Sequence, residues 1–231
     1  MGLAAGVPVI ELLAFRRWGS SPVPGPYDVD GPVGSGVGAR WVWLGDSLSA
    51  GVGADHADES FPRLTAGIVA GWTGRAVELR CVAVPGATSG DVLAGQVPAA
   101  VPLLGTGALA VVAVGCSDVL RMARPAAFRS AYAGTITALV ATGARVLAVG
   151  VPDMGSMMSV MPQPLRAIVA RAGSHVDTLV RAVADDLGAE YVAIGHAPPF
   201  TCATLSADGW HPNGEGYRTW ASLVAGYIIR G

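Results

Sequence analysis

Ser47 is the first residue of the chain whose setting suggests covalent chemistry. It follows Trp41-Val-Trp-Leu44, a short apolar run typical of a buried strand, and Gly45 breaks that run. A strand that ends in a tight glycine turn presents the next side chain at the carboxyl edge of a sheet, where ligands bind in open α/β folds. A serine there can be a nucleophile if a base is near, although a Ser/Gly loop that caps a helix fits the same residues.

A base for this serine is offered far downstream, in Asp208-Gly-Trp-His211-Pro-Asn-Gly. A carboxylate three residues before a histidine, in a loop that enters the last helix, can hold the imidazole in one tautomer. The imidazole can then face a serine that the fold brings close. The alternative is that Asp208 only caps the following turn. The other histidines lack such a neighbour and are interpreted as surface or loop residues: His56, His175 and His196.

Together these stretches resemble the GDSL, or SGNH, family of serine hydrolases. The matching residues are Gly45-Asp46-Ser47-Leu48 near the start and Asp208-x-x-His211 near the end, with weaker matches at Gly86 within Val84-Pro-Gly-Ala-Thr and at Gly115-Cys-Ser-Asp118. They occur in the family's order and span roughly residues 40 to 229. The resemblance implies that Ser47 is the nucleophile, that His211 is the general base and that Asp208 orients His211.

The resemblance also implies an oxyanion hole, formed by the backbone N–H groups of Ser47 and Gly86 and by a third donor. In the family that donor is the Asn of Gly-x-Asn-Asp, whereas this chain has Ser117 at the position. A serine hydroxyl can donate a hydrogen bond, but its reach is shorter by about the length of an amide group. We therefore expect a complete triad and a weakened oxyanion hole. A slow hydrolase, a transferase and a domain that binds without turnover all remain open.

Apolar runs and helical periodicities alternate along the chain, which predicts a parallel sheet covered by helices on both faces. We expect a flavodoxin-like three-layer α/β/α sandwich, the fold that the resemblance also implies, with the Ser47 strand beside the centre of five parallel strands. The strands are predicted at Trp41–Leu44, Val77–Val84, Ala108–Val114, Arg145–Val149 and Tyr191–Ile194. The main helices are predicted at Glu59–Trp72, Phe128–Val140, Leu165–Leu187 and Gly214–Ile229.

The hydrolase domain is predicted over residues 40–231, preceded by an apolar segment and a linker over residues 1–39. Leu3–Phe15 is apolar apart from Glu11 and is followed by Arg16-Arg17, the reverse of the order in a secretory signal. The run is too short to span a bilayer. It is either a helix packed on the domain or an interfacial helix, in which case residues 3–17 contact a membrane surface. Residues 19–39, rich in Gly, Pro and Ser, are interpreted as an extended linker without helix or strand.

Composition narrows the range of functions. Of the 231 residues, 52% are hydrophobic and 14% charged, which excludes a disordered protein. All 15 basic residues are Arg, and they form no basic stripe, so we expect no nucleic-acid partner. The histidines and three cysteines have no metal-site spacing, and we expect neither a metal nor an organic cofactor. A single disulfide remains open.

Without a recognisable signal peptide, a cytoplasmic or membrane-peripheral location is expected, with the cell envelope as the alternative.

The substrate is predicted from the loop that follows the fourth strand. Residues 152–164 contain four of the six methionines, and such a loop lies at the same sheet edge as Ser47. Thioether side chains suit irregular apolar ligands, so Met154, Met157 and Met158 are candidate contacts for an acyl chain. Plain packing is the alternative for these methionines. Asp46, beside the nucleophile, is a further candidate for substrate contact. We expect hydrolysis of a small or lipid-like ester or thioester through an acyl-enzyme at Ser47. An acyltransferase to a sugar or lipid hydroxyl, and an acyl- or carbohydrate-binding module, are the rivals.

Overall fold

The computed structural model describes residues 23–158, 161–195, 197 and 200–230. A six-stranded sheet lies at its centre, with strand order β1-β3-β2-β4-β5-β6, and the last five of these are parallel. The strands are β1 Gly31–Val33, β2 Ala39–Gly45, β3 Val77–Cys81, β4 Leu109–Ala113, β5 Arg145–Val149 and β6 Glu190–Val192. The flavodoxin-like order of five parallel strands is confirmed, with β2 next to the central β4.

β1 corrects the sequence analysis, which placed residues 31–33 in a linker without strands. Gly31–Val33 pairs antiparallel with β3 at the edge of the sheet. The carboxylate of Asp30 accepts hydrogen bonds from the Cys81 N–H at 2.7 Å and from the Arg80 guanidinium at 3.1 Å. Three residues are too few for an alternating pattern to show in the sequence, and the unpaired edge of β3 supplies the hydrogen bonds that make this segment a strand.

Helices cover the sheet and connect its strands. The α-helices are α1 Phe61–Thr73, α2 Ser89–Asp91, α3 Val97–Ala100, α4 Cys116–Leu120, α5 Pro125–Val140, α6 Met154–Met157, α7 Leu165–Leu187 and α8 Gly214–Arg230. A π-helix, Val92–Gln96, joins α2 to α3, and short 3₁₀ helices occupy Ala57–Glu59 and Val101–Leu103. The bounds of α7 and β5 are those predicted.

Side-chain burial agrees with the central position of β4. All five residues of β4 are buried, as expected for a central strand covered on both faces. β3 ends at Cys81, three residues earlier than predicted, although the N–H groups of Val82 and Val84 still donate to the carbonyls of Trp43 and Gly45 on β2. Beside β2, the buried rings of Phe61 on α1 and of Tyr217 and Trp220 on α8 pack together with centroid separations of about 6 Å. This aromatic cluster fixes the last helix next to the Ser47 strand.

Some of the predictions concern residues outside the described ranges. The apolar segment at residues 3–17, its predicted membrane contact and the position of His196 belong to that part, and those interpretations stay predictions. Within the described residues, no helix combines the length and the apolar character that crossing a membrane requires. Cys81, Cys116 and Cys202 are free thiols, and Cys116 is buried.

Candidate active site

The Ser47 turn is formed where the backbones of β2 and β4 meet. Gly45 has a φ of 151°, and a Cβ on it would lie 2.0 Å from the carbonyl oxygen of Ala113. Only glycine allows this approach. The next residue, Asp46, accepts a hydrogen bond at its carboxylate from the Leu48 N–H at 3.1 Å, which closes the turn around Ser47. The Ser47 side chain therefore emerges at the carboxyl edge of the sheet, as predicted.

The π-helix contributes a contact to this turn that the sequence analysis did not anticipate. Gln96 is buried, and its side-chain amide makes two hydrogen bonds to the backbone of Gly45, accepting from the N–H and donating to the carbonyl, both at 2.8 Å. The extra residue of a π-helical turn changes the direction in which a side chain points from the helix. Such turns are frequent at functional sites. Gln96 thus holds the residue two positions before Ser47. A lone glutamine in the apolar stretch Val92–Val101 was the only signal for it in the sequence.

Ser47, His211 and Asp208 are brought together as predicted. The Ser47 hydroxyl lies 3.0 Å from His211 Nε2, and His211 Nδ1 lies 2.5 Å from Asp208 Oδ2. All three side chains are at least nine-tenths buried. This is the arrangement of a nucleophile, a general base and a carboxylate that selects the tautomer of the base.

The Asp208 carboxylate organises its own loop. Its Oδ1 accepts hydrogen bonds from the Ser206 hydroxyl at 2.7 Å and from the N–H groups of Trp210 and His211 at 3.1 and 3.0 Å. Burial acts to raise the pKa of Asp208, but the hydrogen bond and charge of His211 and the donors on Oδ1 outweigh it, so the pKa lies below its ordinary value. Asp208 is therefore an ionised partner for His211, and it also caps the turn.

The second predicted oxyanion donor, Gly86, lies in a tight turn. The Ala87 N–H donates to the Val84 carbonyl at 3.0 Å, and Gly86 has a φ of 77°, as a type II turn with Pro at its second and Gly at its third position requires. The Arg121 guanidinium holds the Gly86 carbonyl at 2.9 Å. Within the described part of the chain, the N–H groups of Ser47 and Gly86 have no hydrogen-bond acceptor. Both remain available to a ligand.

Ser117, the third predicted donor, stands in the first turn of α4, directly after the end of β4. It is half-buried. Its neighbour Asp118 is buried and accepts from the N–H and hydroxyl of Ser89 at 2.9 and 2.7 Å. Burial raises the pKa of Asp118, and the Ser89 donors act against that rise. The Asp118–Ser89 contact ties α4 to the segment that follows Gly86.

Asp46 lies beneath the Ser47 turn and is fully buried, so it does not face a substrate as the sequence analysis expected. Burial raises its pKa from 3.8 to about 7, although the Leu48 N–H stabilises the ionised form. Asp46 therefore supports the turn from inside, because a carboxyl group without access to the surface can reach the backbone but not a ligand.

The methionines are also placed differently from the expectation. Met154, Met157 and Met158 are each at most 1% exposed and belong to the hydrophobic core. A Cβ on Gly173 of α7 would lie 2.7 Å from Met154 Cγ, so this short helix is packed directly on α7. Flexible thioethers fill the irregular space between α6 and α7, which is the packing alternative. In this arrangement these side chains contact protein rather than the site.

The remaining histidines take no part in the site where they are described. His56 and His175 are exposed, in agreement with their interpretation as surface residues. In the described ranges, no group of three or more His, Cys, Asp or Glu side chains is arranged to hold a metal ion.

Comparisons with known proteins place the chain in a family. Residues 43–219 match the model of the GDSL-like Lipase/Acylhydrolase family. A GDSL-like esterase of Mycobacterium tuberculosis is 31% identical over 186 residues, which cover 78% of this chain and 59% of that relative, so the match spans less than two thirds of the relative's length.

Solved structures show the same fold. The psychrotrophic esterase EstA from Pseudoalteromonas sp. matches 83% of this chain and 99% of its own, with a TM-score of 0.60 at 16% identity. TesA matches 80% of this chain and 97% of its own, with a TM-score of 0.61 at 23% identity. From its match to the family model over 43–219, the chain belongs to the GDSL-like lipase/acylhydrolase family.

Proposed function

We propose that the protein is a carboxylic ester hydrolase that acts through an acyl-enzyme at Ser47. The observation that carries the proposal is the continuous path from the Ser47 hydroxyl through His211 to Asp208, with separations of 3.0 and 2.5 Å. The esterase name of the mycobacterial relative supports the same reaction class.

In the first half-reaction, His211 Nε2 takes the proton of the Ser47 hydroxyl as the oxygen attacks the ester carbonyl carbon. The carbonyl oxygen becomes negatively charged and receives hydrogen bonds from the free N–H groups of Ser47 and Gly86. The carbon–oxygen bond to the alcohol then breaks, and His211 returns the proton to the departing alcohol. Asp208 remains ionised and stabilises the imidazolium.

In the second half-reaction, water takes the place of the alcohol. His211 accepts a proton from the water as its oxygen attacks the acyl carbon, and it then returns the proton to Ser47 as the carboxylic acid leaves. Loss of one oxyanion donor costs on the order of 10²- to 10³-fold in rate in comparable enzymes. With Ser117 in place of the usual amide, we expect turnover slower than a complete oxyanion hole would allow.

The experiment is hydrolysis of p-nitrophenyl esters of increasing acyl length by the purified protein and by Ser47→Ala. We expect activity that is lost in Ser47→Ala while the circular dichroism spectrum and the melting temperature stay the same. Labelling of Ser47 by a fluorophosphonate supports the nucleophile independently. A burst of p-nitrophenol followed by slow release, accelerated by an added alcohol, would favour an acyltransferase. A folded protein that neither turns over nor takes the label would favour a binding module.

A further inference from the structure

A groove of about 540 Å³ opens beside Gly86, on the side away from the methionine loop. We call it the Gly95 groove, after the π-helix residue at its wall. It lies between the extension of β3 and the helical segment that follows, and the residues that matter most for its chemistry are Val82, Val84, Gly86, Gly95, Ala99 and Arg121.

The groove adjoins the candidate active site at Gly86. Gly86 lines it and is one of the two predicted backbone oxyanion donors. The Val84 N–H donates to the Gly45 carbonyl at 3.2 Å, so the groove wall is bonded to the residue two positions before Ser47. An acyl group whose carbonyl oxygen is bound at the Gly86 N–H would therefore lie beside the groove.

Each polar side chain of the lining makes hydrogen bonds within the protein. Both ends of the Gln96 amide are bonded to Gly45, Arg121 donates to the Gly86 carbonyl, and the Asp91 carboxylate accepts from the N–H and hydroxyl of Thr88. The remaining side chains of the wall are small and apolar, such as Val82, Val84 and Ala99. A surface of this kind favours an apolar ligand, because burial of apolar area is the gain that it offers.

Gly95 is an exposed residue of the groove wall. No atom lies within 4 Å of the position that its Cβ would take, so the space is available and a larger residue would fill it without displacing the protein. Gly95 costs helix stability relative to alanine, by about 1 kcal/mol.

We propose that the Gly95 groove holds the acyl chain of the ester substrate, so that the protein prefers chains of several carbons over acetate. This rests on the proposed function and deepens it, and it replaces the methionine loop as the acyl site. The occupant is the acyl group, because Gly86, a predicted donor to the carbonyl oxygen, lines the groove and most of the other lining side chains are small and apolar.

The test compares Gly95→Phe and Ala99→Phe with Gly71→Phe. Gly71 lies on α1, is exposed and also has no atom within 4 Å of a Cβ, so it receives the same side chain away from the groove. We expect both groove variants to lower kcat/KM for p-nitrophenyl octanoate at least about tenfold relative to p-nitrophenyl acetate, since even one methylene in an apolar pocket is worth about that factor. Gly71→Phe should keep the profile of the unmodified protein.

A second substrate series separates the acyl group from the alcohol. With acetate esters of propanol and octanol, the groove variants should behave as the unmodified protein does, because only the alcohol varies. A shift in that series in place of the acyl series would overturn the proposal, and so would unchanged profiles in both series for both variants. An unmodified protein that hydrolyses none of these esters would instead contradict the proposed function.

Discussion

A methyl group placed on Gly53 would lie 2.7 Å from Cβ of His211 and 2.3 Å from the carbonyl oxygen of Pro212. Both separations are shorter than real Cβ contacts, so the segment after Ser47 is packed on the histidine loop without room for a side chain. The Gly53 N–H donates to the Pro24 carbonyl at 2.9 Å, which holds the segment from its other side. This packing predicts that Gly53 helps to position His211 relative to Ser47.

We therefore expect Gly53→Ala to lower kcat by on the order of 10²-fold, because displacing a catalytic group by about 1 Å costs about that factor. Gly53 has a φ of 98°, so alanine there also adds backbone strain, and the variant should melt at a lower temperature. Steady-state kinetics on the folded variant, well below its melting temperature, separate the two effects.

Gly74→Ala is the matched control for this variant. Gly74 caps α1 with a φ of 66°, but no atom lies within 4 Å of its Cβ position. It carries the backbone strain without the contact to His211, so we expect a lower melting temperature and an unchanged kcat. Equal values of kcat for Gly53→Ala and the unmodified protein would show that this contact does not position His211.

Gln96 permits a test that depends on pH. In Gln96→Glu, a protonated carboxyl can both accept from the Gly45 N–H and donate to its carbonyl, as the amide does, whereas an ionised carboxylate can only accept. We expect kcat of Gln96→Glu to approach that of the unmodified protein at acidic pH. It should fall at least about tenfold below it as the pH rises and the glutamate ionises beside the Gly45 carbonyl.

The control is Gln96→Leu, which keeps most of the volume and removes both hydrogen bonds. Its kcat should be low at every pH, with a constant ratio to the unmodified protein. If Gln96 only stabilises the fold, the melting temperature of both variants will fall while kcat per folded molecule, counted by phosphonate titration, stays that of the unmodified protein. That result would rule out a positioning role.

Asp46 predicts a pH dependence of stability. Its pKa is raised from 3.8 to about 7 in the folded protein, so between these values the folded state binds a proton that the unfolded chain releases. The contribution of Asp46 to the free energy of unfolding is therefore fully present below about pH 4. It is lost as the pH rises toward 7, by up to about 1.4 kcal/mol per pH unit.

Asp46→Asn removes that dependence, because an asparagine oxygen can still accept from the Leu48 N–H but cannot ionise. In urea unfolding at about pH 5 and pH 8, the free energy of unfolding of Asp46→Asn relative to the unmodified protein should increase with pH. A difference between the two proteins that stays constant over this range would contradict the raised pKa.

The catalytic candidates were predictable because their signals are local. Ser47 follows an apolar run and a glycine, and Asp208 precedes His211 by three residues, so each pair of features lies within one short stretch. The parallel strands were equally local, since burial on both faces leaves continuous apolar runs such as β4.

The features that were missed depend on contacts between distant segments. β1 is a strand only because the edge of β3 lies beside it, and the role of Gln96 depends on a residue 51 positions earlier in the chain. The methionines were misplaced for a related reason. A methionine fills a core and a ligand pocket equally well, and only the position of α6 against α7 decides between the two.

Ser117 stands where the Gly-x-Asn-Asp pattern that the chain resembles has an asparagine. Its surroundings predict the effect of replacing it. Its hydroxyl is half-buried at the start of α4, and Asp118 beside it anchors this helix to Ser89, so the backbone there is held in place. An asparagine amide on that backbone reaches farther than a hydroxyl. We expect Ser117→Asn to raise kcat by at least about tenfold with little change in KM, because an oxyanion donor acts mainly in the transition state.

Ser117→Ala completes the comparison. If the hydroxyl already donates to the oxyanion, directly or through a water, the alanine variant will be slower than the unmodified protein, and the order of kcat will be Asn, Ser, Ala. If kcat is the same for serine and alanine and rises only with asparagine, the oxyanion is held by the N–H groups of Ser47 and Gly86 alone. A lower or unchanged kcat for Ser117→Asn would mean that position 117 does not face the oxyanion, and the slow turnover expected here would then need another cause.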